Sequence, residues 1–251
     1  MAADTTPAAD QPAPPTADRA EGGARPRDKV RLRFRKLGAL RLLSHHDLMR
    51  TFERLLRRAL VPFHRTQGFH PKPRVVFALS LPLGVVGRDE VVEVELAQPM
   101  EPEEVLRRVV REAPPGLEFT RAGRVPPRQT ARVCGLSYAV PVPPERLPDL
   151  RPRLAEALAA PSCVIERTRP PRRRLDLRPL IRDLRLAEET GPDGRPRTLL
   201  VMDLWLTDRG TARPEEVLRT LNLEDLLDAG AVLERLRLEL EDEHTERRNE
   251  E

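Results

Sequence analysis

Aromatic residues make up only 3% of this 251-residue sequence, cysteine occurs twice, and of 44 basic residues only Lys29, Lys36 and Lys72 are lysines. So few rings exclude an extended stacking platform for bases or sugars. Cys134 and Cys163 are far apart and belong to no C-x-x-C or His-rich cluster, which removes a cysteine-built zinc site and leaves two buried thiols as the expectation. The sequence also lacks a G-x-G-x-x-G or G-x-x-x-x-G-K-S/T phosphate loop and an H-E-x-x-H zinc helix. Nucleotide-driven and zinc-hydrolase mechanisms lose their usual support, and neither a metal nor a cofactor is expected. No run of about 18 apolar residues could span a bilayer. The start has neither the basic n-region nor the apolar h-region of a signal peptide. A cytoplasmic protein without a membrane partner is the expectation.

What the sequence does contain is arginine, and 27 prolines, about twice the usual share. A GC-rich genome accounts for both biases, so the arginine count proves little. The distribution of charge says more. Residues 1–28 carry five acids against three arginines, and residues 239–251 carry seven against two, so the body between them is much more basic than the net +4. That is the footprint of a polyanion-binding protein. The two ends, an Ala/Pro/Asp/Thr mixture at 1–28 and an acidic tail at 241–251, read as disordered.

Between them the pattern is that of an α+β protein. Lys29 to Lys36 alternates, with Val30, Leu32 and Phe34 on one side and Arg31, Arg33 and Arg35 on the other, as in a half-buried strand. Ser44 can cap a helix, with Asp47 favouring its N-terminus. That helix buries Leu48, Met49, Phe52, Leu55, Leu56 and Ala59 and sets Arg50, Arg54, Arg57 and Arg58 opposite. Pro62, Gly68, Pro71 and Pro73 punctuate a basic loop over 61–73. Apolar runs at 75–81 and 91–96, a helix over 101–112 and a run at 117–121 complete the order strand, helix, strand, strand, helix, strand, which is that of a ferredoxin-like unit. Weaker signals repeat it: a strand at 136–142, a helix at 147–159, a strand at 163–167, a Pro/Arg stretch at 169–179, a hairpin of 181–188 with 199–206, a helix opening at Pro214, and a strand at 232–240 with Arg235 and Arg237 on its polar side. The architecture expected is two tandem ferredoxin-like units, 29–123 and 133–240, with a boundary near 124–132.

The block Ser44-His45-His46-Asp47-Leu48, continuing through Arg54-x-x-Arg57-Arg58 to Gly68-Phe69-His70-Pro71-x-Pro73, resembles an uncharacterised bacterial family, domain of unknown function 2344. Leu175-Asp176-Leu177-Arg178-Pro179 and Arg213-Pro214-Glu215-Glu216-Val217-Leu218 fit it too, and the resemblance spans roughly residues 29–220. His46 and Lys72 depart from the pattern. The family is associated with radical SAM proteins, beside which its members sit or behind which they are fused, so the resemblance implies a radical SAM partner. The chain is not itself such an enzyme, because two cysteines cannot supply the three thiolates of a C-x-x-x-C-x-x-C cluster site. An accessory module that presents a substrate is what the resemblance implies.

The residues themselves leave several readings open. Arg31, Arg33, Arg35, Arg54, Arg57, Arg58, Arg65, Lys72 and Arg74 could form a phosphate-binding surface for RNA, with salt-dependent affinity. Alternatively they pair internally, Glu93 and Glu95 with Arg31 and Arg33 across the sheet and Glu53 with Arg57 one turn on. His45 is the best candidate for chemistry, as a base toward a ribose 2′-hydroxyl with arginines stabilising the phosphate; a hydrogen bond to the loop or plain exposure is the structural alternative. His64 and His70 could join His45 as metal ligands, but no acid in the loop supports this. Phe69, positioned by Gly68, plugs the core or stacks on a base. Arg172 to Arg174 read as a solvated loop, and Asp176 with Arg178 as a local ion pair. A non-enzymatic RNA-binding accessory protein is the first expectation, a metal-independent ribonuclease the second, a protein–protein adaptor the third.

Overall fold

The structure, a computed structural model, describes residues 28–66, 73–126, 128–167, 172–191 and 194–243. The ends expected to be disordered, apart from Asp28 and residues 241–243, lie outside them. The first half runs β1 (Lys29–Lys36), a 3-10 turn (Gly38–Leu42), α1 (His45–Arg58), β2 (Val75–Phe77), β3 (Val86–Glu95), α2 (Pro102–Glu112) and β4 (Leu117–Val125). The second runs β5 (Val133–Val142), α3 (Leu147–Ala159), β6 (Val164–Arg167), β7 (Arg173–Asp176), β8 (Ile181–Thr190), β9 (Pro196–Trp205), α4 (Pro214–Thr220), α5 (Asp225–Asp228) and β10 (Glu234–Leu240). It is a mixed α+β fold. One large mixed sheet has the order β4-β1-β3-β10-β5-β9-β8 with β2 also on β3, and β6 and β7 form a separate pair.

Alternation explains β1. Val30, Leu32 and Phe34 are buried against α1, whose Leu48, Phe52, Leu55 and Leu56 face them. The aromatic residues the sequence has so few of are concentrated here: Phe52 lies edge-on to Phe34, Phe77 and Phe119, with ring centroids 5.0–5.7 Å apart. β3 begins earlier than the apolar run at 91–96 predicts, and its extension contains Arg88, Asp89 and Glu90, each of which is paired with an opposite charge. In the second half β5 sets Leu136, Tyr138, Val140 and Val142 toward α3 and α4, and β9 adds Leu200, Met202 and Leu204. The strand expected at 163–167 forms but pairs with β7 outside the main sheet. Arg173 and Arg174, expected in a loop, lie in β7, where they are exposed.

The halves meet at β3 and β10, which pair in parallel for only two residues, Glu234↔Val86 and Arg235↔Gly87. Next to this short seam Arg235 is 1% exposed and Glu90 2%. Arg235 was expected on the polar side of its strand beside Arg237. Instead a register shift separates the two, setting Arg235 opposite Tyr138 and Arg237 opposite Ser137, on different faces. The Arg235 guanidinium is fully occupied, donating to Glu90 at 2.8 and 2.5 Å and to the Ser80 and Leu79 carbonyls at 3.2 and 3.4 Å. Burial works against its charge, but Glu90 outweighs it, and its pKa rises above the ordinary value. Lys36, 1% exposed and donating to the Leu43 carbonyl at 2.9 Å, is pushed down by burial and by Arg235 against the pull of Glu90.

Removing one partner of a buried pair leaves an uncompensated charge. Glu90→Gln is expected to cost about 3–5 kcal/mol, read as a fall in the urea midpoint. The double variant Glu90→Leu, Arg235→Met is expected to recover most of that loss, since buried pairs replaced by apolar residues are often neutral.

Candidate functional site

The expected arginine surface is divided between two faces. Because β1 turns Val30, Leu32 and Phe34 toward α1, Arg31 and Arg33 project away from it and from the arginines of that helix. They are 8% and 6% exposed. Arg31 meets Glu93 at 3.0 Å and Asp242 at 2.8 Å. Arg33 meets Asp89 at 2.6 Å and Glu243 at 2.5 Å, and the two carboxylates raise its pKa against burial. The cross-strand partner expected of Glu93 is thus present for Arg31, whereas Arg33 takes Asp89 rather than Glu95. Arg35 stays half exposed, 3.4 Å from Glu118. Asp242 and Glu243 belong to one helical turn at 241–243. The acidic tail was expected to be disordered from 241, but these first residues are held against the sheet by the positive charge beneath them.

On the other face α1 is capped as its sequence predicts. The Ser44 hydroxyl accepts the Asp47 N–H at 3.2 Å and donates to the Asp47 carboxylate at 2.7 Å. The start of the family motif is therefore a helix cap. Arg54, Arg57 and Arg58 are exposed. Arg57 pairs with Glu53, as expected, and Arg58 donates to the Glu112 carbonyl at 2.8 Å. Arg65 is exposed with its guanidinium 5.3 Å from the Phe63 ring. Among the described residues neither Arg54 nor Arg65 has a carboxylate partner. Arg74 is 3.5 Å from Glu95, with its Nε buried and unpaired. Gly68, Phe69, His70, Pro71 and Lys72 lie outside the described residues; Pro73 bridges to Arg65.

His45, the candidate base, is half-buried at the first turn of α1 with its ring edge-on to Phe77 at 5.5 Å. No hydrogen bond or ion pair reaches it among the described residues. The Nδ1 of His64 is buried and unpaired, and no three His, Cys, Asp or Glu side chains are grouped to hold a metal among the described residues. Cys134 and Cys163 are free and partly rather than fully buried; burial raises both thiols above their ordinary value. No helix among the described residues is long and apolar enough to cross a membrane.

The two later motifs hold the β6–β7 pair in place. Asp176 accepts the backbone N–H of Cys163 at 2.7 Å and of Arg178 at 3.0 Å. The Arg178 guanidinium, expected to pair with Asp176, instead donates to the Leu158 carbonyl at the end of α3 and to the Ile181 carbonyl. Glu216 receives Arg167 bidentately at 2.7 and 2.8 Å and the Arg213 N–H at 2.9 Å. Sequence reasoning missed both anchors. It also missed a polar pocket of about 630 Å³ lined by Arg35, Arg88, Glu189, Arg197 and Glu234. There Arg88 contacts Glu189 and Glu234, and Arg197 contacts the same two acids, linking β3, β8, β9 and β10. No local pattern signals it, because Arg88, Glu189, Arg197 and Glu234 come from four strands distant in the chain.

An α+β chain with a capped basic helix on one face and a carboxylate-matched arginine row on the other carries no recognisable catalytic constellation among its described residues. The chain belongs to the bacterial family described as "Uncharacterized protein conserved in bacteria (DUF2344)", whose model matches residues 29–214. No curated protein matches it. Among solved structures, an unknown protein from Galdieria sulphuraria is similar at 13% identity, with 85% of this chain and 98% of that chain covered and a TM-score of 0.24, a superposition too loose to bear on the fold.

Ser44→Ala is expected to lower stability by about 0.5–2 kcal/mol through loss of the cap, while His45→Ala, losing ring contacts with Phe77 and His46, costs less than about 1.5 kcal/mol; thermal melts compare them. Glu216 has its pKa lowered: burial would raise it, but Arg167 and the Arg213 N–H hold it ionised below the ordinary value of a glutamate. A depressed folded-state pKa means that this contact stabilises fully above about pH 4.5 and less as pH falls through the folded value. Glu216→Gln is expected to cost about 1–3 kcal/mol at pH 7 and to flatten the acid limb of the stability curve, measured by urea denaturation against pH.

Proposed function

We propose that this chain is a non-enzymatic, cytoplasmic RNA-binding accessory protein that works with a radical SAM partner and is built from two tandem ferredoxin-like units. The observation that carries the RNA reading is the exposure of Arg54, Arg57 and Arg58 on α1 and of Arg65 after it, of which Arg54 and Arg65 have no carboxylate partner among the described residues. Free guanidinium groups at a helix surface contact phosphates and release counterions. Arg31 and Arg33, held by carboxylates on the other face, are not part of this group.

The two-unit reading is supported by strand order. Residues 29–125 run β4-β1-β3-β2 and residues 133–240 run β10-β5-β9-β8, the same 4-1-3-2 arrangement with the β6–β7 pair as an insertion. Helices fall after the first and third strands in each. The radical SAM partner rests on the motif from Ser44 to Pro73. Geometry at His45 favours packing over base chemistry, because its ring lies against Phe77 and makes no hydrogen bond among the described residues.

Purified protein is expected to bind a labelled single-stranded RNA at low salt and to release it as salt rises. Arg54→Ala with Arg57→Ala is expected to weaken binding and to reduce the slope of log affinity against log salt by about 0.7 per lost phosphate contact. An unchanged affinity in that variant removes this surface. Absence of binding at low salt leaves the protein–protein adaptor. Metal-independent cleavage abolished by His45→Ala would establish the ribonuclease instead.

A further inference from the structure

The face of β1 turned away from α1 holds a groove of about 400 Å³ lined by Arg31, Arg33, Arg121, Gly123, Arg124 and Gln129, and by Asp242 and Glu243. Its acids come from two sources. The sheet itself supplies Glu93, 3.0 Å from Arg31 and 3.5 Å from Lys29, and Asp89, 2.6 Å from Arg33. Arg124, which also lines the groove, is held by Asp28 and Glu101, so that without the turn four carboxylates face five cations, Lys29, Arg31, Arg33, Arg121 and Arg124. The turn at 241–243 supplies the rest. Asp242 takes Arg31 at 2.8 Å and the Gln129 amide at 2.7 Å. Glu243 reaches Arg33 at 2.5 Å, Arg121 at 3.2 Å and Arg31 at 3.7 Å.

We infer that this groove is a second RNA-backbone subsite, closed in the present structure by the acidic turn 241–243, whose two carboxylates occupy the positions of phosphate groups. The physical case is charge and geometry together. A guanidinium that binds a carboxylate through paired N–H donors binds a phosphate oxygen in the same way. Without the turn the groove carries a surplus of positive charge flanked by open space at Gly123, where an added Cβ would meet nothing. The turn is short, its Glu241 is exposed 3.7 Å from Arg132, and the Arg121 side chain that grips Glu243 is 63% exposed. It follows β10 outside the residues 29–214 that the family model matches. A self-supplied acidic segment competing for arginines sets a threshold, since only a ligand with several phosphates in register displaces two carboxylates at once. The inference rests on the RNA reading above for the ligand but uses different residues on a different face.

The test compares four folded variants with the wild-type full chain, binding the same labelled single-stranded RNA across a salt series. Asp242→Asn with Glu243→Gln is expected to bind about tenfold tighter, with a slope steeper by about 0.7 for each phosphate newly contacted. Adding Arg121→Ala to that variant is expected to return the affinity toward wild type. In the wild-type chain, saturating RNA is expected to increase amide hydrogen exchange at 241–243, a measurement that stands even where the double variant is destabilised. If the variant folds and binds as wild type does, or if exchange at the turn is unmoved by RNA, the groove is not a subsite. Should Arg54→Ala, Arg57→Ala lose binding while the turn variant gains none, this inference falls and the RNA reading stands. Gain in the turn variant that persists in the Arg54→Ala, Arg57→Ala background supports the groove, and the helix arginines are removed only where Arg54→Ala, Arg57→Ala by itself leaves affinity unchanged.

Discussion

The Glu90–Arg235 pair is the contact on which the arrangement of the two halves depends. Two parallel residue pairs between β3 and β10 are too few to fix one large sheet. A fully desolvated carboxylate and guanidinium, with Lys36, Tyr138 and the Ser80 and Leu79 carbonyls around them, tolerate only one relative position. Burying such a pair yields little net stability, because desolvation offsets most of the attraction. What it provides is a penalty for every alternative seating, since any shift strands a charge in an apolar seam. The Tyr138 hydroxyl, raised in pKa by burial against the opposing influence of Arg235, belongs to the same cluster and ties β5 to it.

Around this seam the arginine-rich composition divides into two populations. One is matched by carboxylates within the fold. Arg31 with Glu93, Arg33 with Asp89, Arg88 and Arg197 with Glu189 and Glu234, and Arg182 with Glu239 all lie in strands of the main sheet. The other population projects from α1 and the segment after it, where Arg54 and Arg65 have no acid within reach among the described residues. A polyanion would distinguish the two by cost. Binding to the first requires a carboxylate to be displaced, whereas binding to the second requires only counterions to leave.

Much of the architecture was legible in periodicity. β1 was delimited to the residue by its alternation, α1 by the Ser44 cap and the apolar stripe from Leu48 to Ala59, and the β8–β9 pairing was foreshadowed by the turn-type sequence Gly191-Pro192-Asp193-Gly194 between its strands. The candidate surface was less so. Alternation showed that Arg31, Arg33 and Arg35 share a side, yet which side of the sheet α1 covers relative to them is a question of packing. Charge near charge in the sequence was read as one patch, when a strand and the helix that covers it present their polar residues in opposite directions.

The sequence by itself determined β1, α1 and most of the inward residues of the first half, because strand and helix periods are local consequences of backbone geometry; Met49, expected on the buried side of α1, is only partly covered, and the run at 75–81 forms a strand only to Phe77. It also determined that the chain cannot hold a three-cysteine cluster. Tertiary structure alone decided that Arg235 turns inward, since a register shift and a glutamate 145 positions away are invisible to any local pattern. It alone decided that β6 leaves the main sheet for β7, and that the acidic residues 241–243 lie against Arg31 and Arg33. Each of these is a pairing of charges or edges distant in the chain, and such partners are chosen only when the folded backbone brings them within a few ångströms.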